Sequence, residues 1–360
     1  MNRNDIEQAV LNFIAADAAT DAAFNMLALE IFRFQFDNNE PFQRFCLKRG
    51  QTPNRIKFWR DIPSVPIEAF KELTLSCAPL EEVKRVFSTS GTTKGVLKGK
   101  SYHSTLAAYD ASMVKTFGTW VMQGLPRINM GILYPNEQLL PCSSLAHYLS
   151  HAVEKFGTRE SKFFMRDKNG VDFEKLFSEL KRVERVGMPY ALLGASYSFL
   201  PLIEELARRN LSFSLPKGSR LFDTGGFKGR AREIDPESFY TELSERFGVP
   251  RQLCINMYGM TELSTQFYDR GNAVIPSVKS GPHWVRTRVV DPLTGNDVPA
   301  GEVGVLVHCD LAHFNIVSTV LTEDVGFQKE NGFVLLGRVD GAEAKGCSMA
   351  VEEFLRASRN

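Results

Sequence analysis

An α/β fold followed by a β-rich segment is what this 360-residue sequence predicts, and three observations carry the prediction. Short apolar runs such as "YALLGAS" and "QLCINMYG" end in small residues, as buried parallel strands do. Between such runs, "SLAHYLSHAVEKF" and "FEKLFSELKRV" repeat apolar residues at helical spacing. After about Val274 the texture changes to alternation broken by turn signals such as "DPLTG" and "PAG". Strands that alternate with helices argue for a largely parallel sheet, with ligands expected at the carboxyl ends of its strands.

Taken in order, residues 1–82 form a helical N-terminal region, because "IEQAVLNFI" and "AAFNMLALEIFRFQF" both keep helical periodicity. The prolines of "RDIPSVPIEAFKE" then impose an extended connection. Residues 83–273 form the α/β core, with "VKRVF" and "RINMGILY" as further strands. Residues 274–340 form a β-rich subdomain that ends in a hairpin around Asn331-Gly332, so that residues 1–340 make one domain. A short tail, 341–360, carries Cys347 just before a last helix, "MAVEEFLRA".

Composition narrows the function classes. With 43% hydrophobic and 24% charged residues and a net charge of +1, the chain lacks the basic signature of a nucleic-acid binder. Six cysteines without a C-x-x-C pair fit reduced thiols, and the N-terminus lacks a signal-peptide core. No uncharged apolar run approaches the ~18 residues of a membrane span. The expected location is the cytoplasm. The 27 Phe residues are read as core, with a substrate tunnel as the alternative.

Five stretches carry candidate chemistry. "FSTSGTTKGVLKGK" (Phe87–Lys100) sets five hydroxyls, three glycines and three lysines in fourteen residues, a composition suited to phosphate oxygens although not a Walker A loop. "LFDTGGFKG" offers a Gly-Gly pair against which a flat ring can lie. In "MYGMTEL", Tyr258 offers a ring face, Thr261 a hydroxyl and Glu262 a hard oxygen for Mg²⁺. "LTEDVGF" holds Asp324, suited to a ribose diol, and "LGRVDG" holds Arg338 and the pivot-like pair Asp340-Gly341.

In this order, these motifs resemble the adenylate-forming superfamily of acyl-CoA synthetases, phenylacetate-CoA ligases and nonribosomal adenylation domains. The resemblance implies that superfamily's N-terminal-domain fold, stacked α/β sheets plus a small β-rich subdomain. It implies attack of a carboxylate on the α-phosphate of Mg-ATP, giving acyl-AMP and pyrophosphate. Carried over by motif, Thr89, Ser90, Gly91, Thr92 and Thr93 would handle phosphates. Gly225, Gly226, Tyr258 and Gly259 would hold adenine, Thr261 the α-phosphate, Glu262 the Mg²⁺, and Asp324 and Arg338 the ribose. Two departures stand out. Lys94 occupies the place of the usual loop glycine, and only residues 341–360 follow Gly-Arg-x-Asp, where relatives continue into a lid bearing a catalytic lysine. The expectation is therefore a truncated lid, with Lys94 and Lys98 both open as its lysine's replacement.

Within the superfamily, "IPSVPIEAFKE", "SSLAHYL" and the ending "GRVDGAEAKGCSMAVEEF" are similar to acyl-protein synthetases of the LuxE type. That resemblance implies transfer of the acyl group, expected to be a fatty acyl group, to the enzyme's own Cys347 and then to a partner such as an acyl reductase. With Ser348 capping that helix, Cys347 would sit at its N-terminus, where the dipole favours thiolate. Lys345 would favour it further, and Glu352 and Glu353 would oppose it. Two other readings stay open: transfer to an external amine, coenzyme A or carrier protein, and a nucleotide-binding scaffold without catalysis. The other cysteines, the helical pair His147 and His151, and "HCDLAH" are expected to be structural, with His103 a minor candidate for lining the site.

Overall fold

The computed structural model describes residues 2–89, 97–167, 170–225, 235–339 and 341–359. Two compact units emerge: Met1–Lys115 with Met260–Gln266 and Ser280–Asn360, and Thr116–Gly259 with Phe267–Lys279. In chain order come α1 (Arg3–Ala15), α2 (Asp21–Asn38), α3 (Glu40–Lys48), β1 (Val65–Pro66), α4 (Ala69–Glu72), β2 (Arg85–Ser88), β3 (Lys100–His103) and α5 (Ala107–Phe117). The second unit carries β4 (Asn129–Leu133), α6 (Ser144–Phe156), β5 (Lys162–Phe163), α7 (Phe173–Val186), β6 (Tyr190–Ala195), α8 (Ser196–Arg208), β7 (Arg220–Thr224), α9 (Pro236–Phe247), β8 (Cys254–Tyr258), β9 (Phe267–Tyr268) and β10 (Val278–Lys279). β11 (Val285–Val290), β12 (Val303–Asp310), β13 (Thr319–Lys329), β14 (Gly332–Arg338) and α10 (Gly341–Arg359) follow.

The second unit is built on a sheet ordered β5-β4-β6-β7-β8-β9, parallel throughout except for β9. Every residue of β6 and β7 is buried; β6 accordingly reads as an unbroken apolar run and not as alternation, whereas β7 also buries the polar Arg220, Asp223 and Thr224. Helices α7, α8 and α9 supply Leu180, Phe199, Leu202 and Phe239 to a core that includes Leu192 and Leu221 from the sheet. Their ends follow local chemistry. Ser143 caps α6 by accepting from Ala146 N–H at 3.2 Å, and α7 stops at Gly187, whose φ of 73° suits glycine.

In the first unit an antiparallel sheet runs β14-β13-β12-β11. β1 adds to it in parallel, Val65 opposite Val320 and Pro66 opposite Leu321. That pairing puts the N-terminal helices in the same unit as the β-rich segment, a grouping that a two-residue strand cannot announce in the sequence. Helix α10 packs on α3, with the Phe45 and Phe354 ring centroids 4.6 Å apart. It begins at Gly341, eight residues before the expected start at Met349 after a Ser348 cap, and this corrects the reading of Cys347 as a helix-start residue. Gly346 lies inside the helix for a packing reason: a Cβ there would come within 2.9 Å of Pro292. Among the described residues no helix is long and apolar enough to cross a membrane.

Candidate active site

The Ser/Thr/Gly stretch stands at the end of the β2–β3 hairpin, where Ser88 pairs with Lys100. One step further, Thr89 N–H donates to Gly99 O at 3.0 Å, and Gly99 N–H donates to Thr89 Oγ1 at 3.1 Å. Ser90, Gly91, Thr92, Thr93 and Lys94 lie outside the described residues, as does Gly226. The neck of the hairpin closes on Glu262: a Cβ on Gly99 would sit 2.8 Å from Glu262 Oε1 and 3.3 Å from Thr89 Cγ2. Glycine is what permits that approach. Glu262 is only 6% exposed. Burial pushes its carboxyl up to about 7, against its own backbone N–H and the positive charges of Arg338 and Lys71, and Asp324 adds to the rise.

The segment after Glu262 is clamped by one buried carboxylate. Asp310 accepts from Ser264 N–H and Thr265 N–H, each at 2.8 Å, from Thr265 Oγ1 at 2.7 Å and from Ala312 N–H at 3.0 Å. Burial nevertheless pushes this carboxyl up to about 6. Ser264 Oγ lies 2.9 Å from His313 Nδ1, and Trp284 Nε1 donates to Thr265 Oγ1 at 3.1 Å. This is the work of "HCDLAH": it fixes the backbone that presents Glu262. No group of three or more His, Cys, Asp or Glu with metal-holding geometry occurs among the described residues. His147 and His151 stack 5.9 Å apart, and Glu137 Oε1 lies 3.0 Å from His147 Nδ1. His103 is buried, its ring 5.3 Å from Phe87 and 5.5 Å from His313.

Asp324 and Arg338 face each other across the β13–β14 ladder. Arg338 Nε lies 3.6 Å from Asp324 Oδ1, and Arg338 Nη1 donates to Glu323 Oε2 at 3.3 Å. Asp324 N–H donates to Thr322 Oγ1 at 3.0 Å, and that hydroxyl donates to Leu306 O at 2.8 Å. Thr322 also meets Cys347, whose Sγ lies 3.9 Å from Thr322 O. The thiol belongs to the second turn of α10, is 5% exposed and packs among Val290, Val305, Val307 and Leu321. The same helix is fastened to α3 and its flanks: Arg49 Nε donates to Glu353 Oε1 at 2.8 Å, and Ser358 Oγ donates to Pro41 O at 3.0 Å.

In the second unit, Gly225 follows β7 with a φ of 86°, exposed, and among the described residues no atom lies within 4 Å of where a Cβ would sit. Beneath it Asp223 gathers donors: Ser196 Oγ at 2.5 Å, Asn256 Nδ2 at 2.9 Å and Tyr240 OH at 3.1 Å. Ser196 Oγ also lies 3.0 Å from Gly225 O. Lys279 Nζ donates to Asn256 Oδ1 at 2.6 Å and to Asp269 Oδ2 at 2.9 Å. Tyr258 closes β8, buried, its ring 5.8 Å from Phe267, and the chain runs on through exposed Gly259 to half-buried Thr261 and buried Glu262. Of the motif residues, Thr89, Glu262, Asp324 and Arg338 thus share the first unit, and Gly225, Tyr258 and Gly259 the second. Sequence reasoning missed Asp310, Asp223 and Lys71, although "IPSVPIEAFKE" drew notice as a signature.

This arrangement can be set beside known proteins. The profile of the family "Acyl-protein synthetase, LuxE" matches residues 7–356. The chain belongs to that family. This LuxE-family ligase is 24% identical over 346 residues to the "Long-chain-fatty-acid--luciferin-component ligase" of Aliivibrio fischeri, covering 92% of this chain and 88% of the relative. To the protein of the same name from Vibrio harveyi it is 23% identical, covering 91% and 87%. Among solved structures it resembles a 2-hydroxyisobutyryl-CoA ligase in complex with 2-HIB-AMP, with a TM-score of 0.66 at 15% identity over 89% of this chain and 68% of that one. It also resembles ATP-bound MatB from Rhodopseudomonas palustris, with a TM-score of 0.52 at 19% identity over 72% and 49%. The LuxE-family chain therefore has the fold of adenylate-forming ligases.

Proposed function

We propose that this ligase activates a fatty acid with ATP and transfers the acyl group to its own Cys347 for delivery to a partner protein such as an acyl reductase. The observation that carries the activating half is the closure of Gly99, at the neck of the Ser/Thr/Gly hairpin, against the buried carboxylate of Glu262. One carboxylate beside a phosphate-binding loop suits Mg²⁺, which takes few protein ligands and completes its shell with phosphate oxygens and water. Bound there, Mg²⁺ would supply neutralisation of the triphosphate's charge. Thr89, with Ser90, Gly91, Thr92 and Thr93, binds phosphate, and Thr261 serves the α-phosphate. Asp324 and Arg338 hold the ribose, and Gly225, Gly226, Tyr258 and Gly259 the adenine. The names of the relatives support the fatty acid.

In the first step the carboxylate oxygen of the acid attacks the α-phosphorus, an acyl–phosphate bond forms, and pyrophosphate leaves. In the second, Sγ of Cys347 attacks the acyl carbon, the carbon–oxygen bond to AMP breaks, and the thiol proton passes to solvent. A thiolate is a competent nucleophile toward a mixed anhydride at neutral pH. Burial of Cys347 favours a second reading, in which acyl-AMP goes directly to an external thiol or amine. ATP–pyrophosphate exchange tests the first step. It should require a carboxylic acid and vanish in Glu262→Ala; exchange that persists in the variant refutes the assignment. Turnover with coenzyme A or an amine in Cys347→Ser would select the second reading.

A further inference from the structure

Strand β1 and helix α4 deliver "VPIEAFK" into the acidic corner of the first unit. Because Pro66 pairs with Leu321 and Ile67 N–H donates to Leu321 O at 3.0 Å, the residues that follow travel beside Thr322–Asp324. Glu68 arrives near Glu323, whose carboxyl is pushed up by burial and next by the charge of Glu68. Phe70 Cβ lies 3.7 Å from where a Cβ on Gly99 would sit, the same point that is 2.8 Å from Glu262 Oε1. Lys71 comes next. Its ammonium pairs with Glu68, its positive charge acts on both Glu262 and Glu323, and 29% of its side chain is open to solvent.

Among the described residues, Arg338 and Lys71 are the cations whose charges act on both Glu262 and Glu323. Arg338 is already engaged through the strand register with Glu323 and Asp324. Lys71 sits on a flexible four-carbon stem and, among the described residues, is held by the carboxylate of Glu68, so a ligand of higher negative charge density can exchange with that carboxylate. Held by Glu68, Lys71 also leaves the Glu262 oxygens to a metal ion.

We infer that Lys71 is a phosphate-binding residue of the nucleotide site, its ammonium exchanging Glu68 for an oxygen of the triphosphate or of released pyrophosphate. The inference rests on the adenylating reading above, and it gives a role to the segment around Phe70 and Lys71 that the motif assignments leave idle. One charge-assisted hydrogen bond to a phosphate corresponds to about 10- to 100-fold in affinity or rate.

The test uses the full chain with Mg²⁺, ATP and tetradecanoic acid, reading pyrophosphate exchange and, by calorimetry, ATP binding. Lys71→Ala should raise KM for both ATP and pyrophosphate by about 10- to 100-fold, Lys71→Arg should recover part of the loss, and Lys71→Met should not. KM for the fatty acid should stay within about twofold in all three, whereas a purely structural role for Lys71 would move it together with the nucleotide terms. Unchanged nucleotide KM values and ATP affinity in Lys71→Ala would overturn the inference, as would equal loss in the Arg and Met variants. Should Lys71→Ala lose its melting transition, the comparison of Arg with Met decides. If the wild-type protein exchanges no pyrophosphate, the adenylating reading fails. Calorimetry then judges Lys71 alone: weaker ATP binding in the variant supports it, and equal binding, or none by the wild type, refutes it.

Discussion

Cys347 Sγ lies 3.9 Å from the carbonyl oxygen of Thr322, and two residues along the same strand stands Asp324. The thiol and the expected ribose carboxylate are thus fixed to one stretch of β13, yet the thiol faces Val290, Val305, Val307 and Leu321 instead of solvent. In the proposed transfer, attack on an acyl-AMP would need α10 to lift from the sheet, and the contacts of α10 with α3 would set how readily it does so.

The clasp is dominated by packing. Phe354 is fully buried against Phe45, whereas the Arg49–Glu353 pair has 39% and 49% of its side chains exposed. Phe354→Ala should destabilise by about 3–5 kcal/mol and raise the alkylation rate of Cys347 by iodoacetamide at least tenfold. Arg49→Glu should change that rate only severalfold, since exposed pairs contribute about 0.2–1 kcal/mol. Site-resolved alkylation read beside a thermal melt checks both. An unchanged rate in Phe354→Ala would show that α3 does not hold the thiol in place.

Gly99→Ala should separate activity from stability. The added Cβ meets the far end of a flexible side chain, Glu262 Oε1, at 2.8 Å, so the carboxylate can swing aside at little cost in stability. Displacing it should lower acid-dependent pyrophosphate exchange by at least tenfold and leave the melting temperature within a few degrees of wild type. Equal loss of both would make Gly99 a packing residue only.

Asp223 should make stability depend on pH. Burial pushes its folded-state carboxyl up to about 6, against the Ser196 hydroxyl, the Lys279 charge and the Asn256 amide, with Asp269 reinforcing the rise. A carboxyl raised on folding binds its proton more tightly in the native state, so stability rises as pH falls through about 6 towards the unfolded value near 3.8. Relative to Asp223→Asn, whose side chain stays neutral, the wild type should gain about 2 kcal/mol between pH 6 and pH 4. Denaturant titrations of both proteins across that window measure the difference; parallel curves would mean that Asp223 does not titrate there.

Much of the fold was legible because it is periodic. β4, β6 and β8 read as apolar runs, and α6 and α7 as helices, since each buries a long face of its own. β1 was not legible: two residues have no period, and their role exists only through Val320 and Leu321. The start of α10 differs from the expectation because Ser348 reads as a cap, whereas the helix runs from Gly341 through Gly346, which packs closely on Pro292. In the site, Glu262, Asp324 and Arg338 lie in contiguous motifs and could be named from them. Asp310 and Lys71 could not. Asp310 acts on Ser264 and Thr265 some 45 residues earlier, and Lys71 owes its neighbours to a strand register.

The central claim is an acyl thioester on Cys347, and intact-protein mass spectrometry tests it most directly. Wild-type protein incubated with Mg²⁺, ATP and tetradecanoic acid should gain the mass of one acyl group, lose it to neutral hydroxylamine, and show the adduct on the peptide containing Cys347. Cys347→Ser should gain nothing while still exchanging pyrophosphate. An adduct of the same mass in Cys347→Ser would contradict the account.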